Sequence, residues 1–81
     1  MTNESFQGWS NRATWNASLW LSNDYGSYRT VDCLADSFGD DFAGMAREIF
    51  DYAVESWGTK TPDGESLAEV NWLEIATDWR R

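Results

Sequence analysis

The chain has no histidine, one cysteine and one proline in 81 residues. Without histidine the commonest general base is missing, so serine, threonine and cysteine lack their usual activating partner. One cysteine, Cys33, excludes an internal disulfide and any cysteine-rich zinc site. It sits in Val31-Asp32-Cys33-Leu34-Ala35 with no basic neighbour to activate it, and reads as a buried structural thiol. No apolar run approaches the roughly 20 residues that span a bilayer. The start, Met1-Thr2-Asn3-Glu4-Ser5, has neither the basic residue nor the apolar stretch of a signal peptide. The expected location is therefore the cytoplasm. Basic residues are also scarce: six Lys and Arg face 14 Asp and Glu, a net charge of −8. Such a surface repels nucleic acid and anionic membranes and attracts basic partners. The same acidity would also keep a tryptophan-rich protein in solution.

What the chain has in quantity is aromatic surface: six Trp, three Tyr and four Phe. Eighty-one residues make one domain, and small domains bury a smaller share of their surface. Large aromatic side chains offset that shortfall because each removes much apolar area from water. The expectation is an all-α, compact single domain of about four helices around a Trp-rich core. Residues 1–9 read as an N-terminal arm, with Phe6 and Trp9 docking on the body.

Ser10 or Asn11 can cap a first helix, whose inward stripe is predicted as Trp15, Leu19 and Ser22 with Trp20 alongside. Asn23-Asp24-Tyr25-Gly26 is rich in turn formers and predicts a turn. Tyr28, Val31, Leu34, Ala35 and Phe38 predict a second helix from about Ser27 to Ser37, with a hairpin over Tyr25–Val31 as the alternative. Gly39 stops that helix, and Asp40 or Asp41 can cap the next. Phe42, Met45, Ala46, Ile49, Phe50, Ala53, Val54 and Trp57 predict a third helix, closed by Gly58. A loop with a Pro62-Asp63-Gly64 turn follows, then a short helical turn between Ser66 and Val70. Asn71 with Glu74 has the capping-box spacing, and Trp72, Ile75, Ala76 and Trp79 give a last stripe. Arg80 and Arg81 suit its C-terminal end.

The chemistry offered by this inventory is narrow. Paired carboxylates are present, but clusters of them arise by chance in so acidic a chain. Asp36, Asp40 and Asp41 lack the alternating ligands and central glycine of a calcium loop. No catalytic residue, metal or cofactor is expected. The sharper reading is a recognition surface. Asp41, Glu48, Asp51 and Glu55 fall on the polar side of the third helix, and Asp32, Asp36 and Asp40 extend that surface. Glu48 to Glu55 spans about 10 Å at 1.5 Å per residue. Such a row can occupy a basic groove in place of a phosphate backbone. An ordinary solvated helix face has the same pattern. Trp20 is equally consistent with core packing and with an interface.

The segment Asn11, Thr14, Trp15, Asn16, Leu19, Trp20, Leu21, Asn23 and Asp24 resembles a pattern found in small bacteriophage and mobile-element proteins. In that family it runs Asn-x-x-Thr-Trp-Asn-x-x-Leu-Trp-Leu-x-Asn-Asp. Val70-Asn71-Trp72-Leu73-Glu74-Ile75-Ala76 resembles the closing segment of the same family. The resemblance implies a phage context and brings no catalytic residue with it. Small acidic phage proteins include inhibitors of host defence, among them anti-CRISPR and anti-restriction proteins. The expected function is therefore inhibition of a host-defence complex in the host cytoplasm. The partner would be a host protein or nucleoprotein complex with a basic surface, with no direct nucleic-acid or membrane binding. The alternative is a structural or regulatory phage protein that self-associates through exposed tryptophans.

Overall fold

The computed structural model describes residues 7–79. It holds four α-helices: α1 (Arg12–Asn23), α2 (Tyr25–Phe38), α3 (Phe42–Trp57) and α4 (Trp72–Trp79), with a 3-10 turn at Leu67–Glu69. The all-α, single-domain architecture is as the periodicity predicts. Phe6, Arg80 and Arg81 fall outside the described residues. Trp9, the other aromatic of the arm, is half-buried against the core.

Each helix start is fixed by a side chain that accepts from a free backbone amide. Asn11 caps α1 through Thr14 N (2.8 Å), and Asp41 caps α3 through Gly44 N (3.0 Å). A methyl group on Gly44 would collide with the Asp41 carboxylate and the Phe38 ring. Glycine is therefore tolerated in the first turn of α3 despite its low helix propensity. Gly58 closes α3 with φ +83°, and its N–H bonds back to Val54 O.

Asp24 alone separates α1 from α2. Its N–H donates to Trp20 O at the end of α1, and its carboxylate accepts from Ser27 N and Ser27 Oγ at the start of α2. The turn expected over residues 23–26 thus contracts to one residue. The second helix begins at Tyr25 rather than Ser27 and ends at Phe38, and the hairpin alternative does not form.

The fully buried centre is aliphatic and small: Ala13, Ala17, Leu21, Val31, Ala35, Met45, Ile49, Ala53, Ile75 and Ala76. Alanines let the helices approach closely. The tryptophans form a half-buried collar around this centre, including Trp9, Trp57, Trp72 and Trp79. On α1 the inward stripe is Ala13, Thr14, Ala17, Ser18 and Leu21; Trp15 and Leu19 sit at its edge and Ser22 is exposed. The stripe is rotated from the expected one because close helix packing places small side chains at the centre and leaves the large ones at the edge. Cys33 is exposed, not buried as expected. It lies two residues beyond buried Val31, which puts it on the outer side of α2. Tyr28, Phe50 and Val54, expected inside, are also open to solvent.

Candidate functional site

The predicted acidic face resolves into a groove between α2 and α3. Thr30 and Leu34 line it from α2, and Glu48, Asp51, Tyr52 and Glu55 from α3. Its volume is about 300 Å³. The hydrogen bond between Ser27 Oγ and Tyr52 OH (2.9 Å) ties the two helices beside it. Spacings of three and four put Glu48, Asp51 and Glu55 in one row along α3. Among the described residues none of the three carboxylates takes part in an ion pair or hydrogen bond. Arg47 stands one turn before Asp51, in the less favourable order for a helical ion pair, and does not pair with it among the described residues. Three carboxylates in a row, over a floor of Leu34 and the Tyr52 ring, suit a cationic side chain with an apolar stem.

The other residues of the expected surface lie elsewhere. Asp32 is on the opposite flank of α2 from Thr30 and Leu34, where its Oδ1 accepts from Trp79 Nε1 (3.4 Å). The Tyr28 ring packs tilted against the same Trp79, 5.5 Å between centroids. Asp36 is exposed one turn after Asp32, and Asp40 is exposed at the α2–α3 corner. Asp41 is partly occupied as the α3 cap. Trp20 is half-buried, and its Nε1 donates to Asp63 Oδ2 (3.0 Å).

The polar side chains on and just before α1 have a different job. They fasten residues 61–74 to the first helix. Asn11 Nδ2 donates to Glu69 O (2.9 Å), and buried Thr14 Oγ1 accepts from Asn71 N (2.8 Å). Asn16 Nδ2 and Trp20 Nε1 both donate to Asp63 Oδ2, and Arg12 pairs with Glu65 at 2.9 Å. Ser10 donates from N and Oγ to Glu74. The capping box expected at Asn71 is therefore half-made. Asn71 Oδ1 accepts from Glu74 N, while the Glu74 carboxylate serves Ser10 instead. The two family-like segments, at opposite ends of the chain, meet directly at one bond of this fastening, Thr14 to Asn71. No local sequence signal marks the fastening, because its bonds join residues more than 40 positions apart.

The donors from Asn16, then Trp20, hold the Asp63 carboxyl below its ordinary value of 3.8; partial desolvation opposes them, and the Arg12 charge adds to them. A carboxyl depressed on folding stabilises the native state at pH values above its unfolded value. That contribution is lost as pH falls through the lower, folded value. Urea midpoints of the wild type should therefore drop on acidification below about pH 4. Asp63→Asn should flatten this dependence, and an unchanged slope in that variant would remove Asp63 as its source.

Among the described residues no group of three or more Cys, Asp or Glu side chains is placed to hold a metal ion. No described helix is long and apolar enough to cross a membrane. The profile of a family of unknown function, DUF7249, matches residues 2–79, and the chain belongs to that family. No curated protein and no solved structure matches it.

Proposed function

We propose, from a family without an assigned activity, that this protein works by binding rather than catalysis. Its α2–α3 groove would engage a basic, nucleic-acid-binding surface of a host-defence complex. The observation that carries the reading is the row Glu48, Asp51 and Glu55, unneutralised among the described residues and open to solvent. Charges left unpaired on a groove wall steer a partner of opposite sign. The phage-like segment supports the setting, although its polar residues serve the fold. Asp36, Asp40 and Asp41 would sit at the rim of the contact. Asp32 and Trp20, each bonded internally, would stand outside it.

The test is a Glu48→Lys, Asp51→Lys double variant. Host cells expressing the chain are challenged with a phage that their defence system normally restricts, and plaques are counted. The wild type should rescue plaque formation and the variant should not, with the melting temperature of the two alike. Equal rescue by both would exclude this groove.

A second reading has its own observation. Phe50 and Val54 are 38% and 40% exposed and border a groove of about 360 Å³ with Gly58, Thr59, Ser66, Leu67 and Ala68. Self-association would use this apolar surface rather than the tryptophans, which are half-buried. Sedimentation at rising salt separates the two readings. Charge-driven docking weakens with ionic strength, whereas apolar self-association does not.

A further inference from the structure

The turn Pro62-Asp63-Gly64 carries an Asp-Gly pair, the dipeptide in which a backbone nitrogen most easily reaches the preceding side chain. Glycine offers no Cβ to block that approach. The reaction is well defined. Gly64 N attacks Asp63 Cγ, a carbon–nitrogen bond forms, and the carboxyl oxygen leaves as water. Solvent water then opens the five-membered imide at the main-chain carbonyl. The product is a β-linked isoaspartate with no net change in atoms. For attack, the Asp63 side chain must rotate toward Gly64 N, and its carboxyl must carry a proton to become a good electrophile.

The structure opposes both needs. Asp63 Oδ2 is held by two donors, Asn16 Nδ2 at 2.9 Å and Trp20 Nε1 at 3.0 Å. Asn16 is itself 3% exposed, so its amide cannot follow the carboxylate outward. Gly64 N is also engaged, donating to Thr61 O at 2.8 Å, and Thr61 is anchored by Glu65 through two further bonds. The same donors favour the ionised carboxylate.

We infer that Asp63–Gly64 is a latent site of isoaspartate formation, and that Asn16 and Trp20 are its guard. The consequence is directional. An isoaspartyl linkage adds a backbone atom to the turn and moves the carboxylate off its donors. Buried Asn16, whose Oδ1 already lacks a partner, would then lose the partner of its Nδ2 as well. A buried amide with no partner is costly, so the modified turn does not close again on α1. One slow covalent event would thereby detach the Asp63 turn from Asn16 and Trp20 of the first helix, leaving the Arg12–Glu65 pair as the remaining tie of that loop to α1.

The experiment ages four samples at neutral pH and 37 °C. They are the wild type, Asn16→Ala, an Ile49→Val control, and a synthetic peptide of residues 59–68. Isoaspartate is read by peptide mapping with mass spectrometry and by labelling with an isoaspartate-specific carboxyl methyltransferase. The wild type should form it at least about tenfold more slowly than the peptide, the factor expected when a charge-assisted bond must first break. Asn16→Ala should approach the peptide rate. Ile49→Val loses stability without touching the turn, so it should stay close to the wild type and separates loss of the guard from general loosening. Equal rates in wild type and peptide would overturn the guard, as would equal acceleration in Asn16→Ala and Ile49→Val.

Discussion

Ile49→Ala is expected to lower the unfolding free energy by about 2–5 kcal/mol, the range for emptying a fully buried aliphatic site. Ile49 is 0% exposed and lies in the central stripe of α3, between Met45 and Ala53. The core cluster to which it belongs is rich in alanine, with Ala13, Ala17, Ala35, Ala46, Ala53 and Ala76 among its members. Alanines have no side-chain length with which to fill a void, so the cavity would collapse little. A domain of this length has a total stability of roughly 4–12 kcal/mol, and the variant should use up a large part of it. Urea denaturation with an unchanged m-value and a lowered midpoint is the expected readout. A loss below about 1 kcal/mol would mean that the collar of tryptophans, not the aliphatic centre, carries the fold.

Thr14→Val should be the next most damaging change. Valine keeps the shape of the buried threonine and removes one acceptor. Thr14 Oγ1 takes the Asn71 N–H at the entrance of α4, a donor with no partner inside its own helix. Leaving it unpaired costs about 1–3 kcal/mol. Thr14→Ser, which keeps the oxygen, should recover most of that loss. Amide exchange at Asn71 and Glu74 should accelerate in Thr14→Val more than exchange in the middle of α3. Uniform acceleration would show that the effect is global rather than a release of α4 from α1.

These two expectations also mark what the sequence reveals. Helix α3 is legible from its residues alone, because the spacing of Phe42, Met45, Ile49 and Ala53 and the stop at Gly58 all agree. The short turn at Leu67–Glu69 and the Asn71 cap are legible for the same reason, since their signals are local. Helix α1 is legible as a helix and illegible in its orientation. Side-chain size favours Trp15 and Leu19 as the inward face, whereas close helix packing selects Ala13, Ala17 and Leu21. The acidic groove is half legible. Spacing aligns Glu48, Asp51 and Glu55, but only the packing of α2 against α3 decides that Asp32 faces the other way. The fastening of residues 61–74 to α1 is wholly illegible from one chain. Nothing local in Asn16 points to Asp63, and the dense small polar residues of α1 look equally like caps or an interface.

The sharing of Asp24 by two helices has a consequence for how the molecule can bend. An elbow made of one residue, with its amide spent on one arm and its carboxylate on the other, has no slack. Swivelling α2 against α1 would tear both attachments together. A tightly bonded elbow therefore lies where an Asn-Asp-Tyr-Gly run suggests a loose turn, and a shift of α3 would open the groove beside Thr30 and Leu34 with both attachments whole.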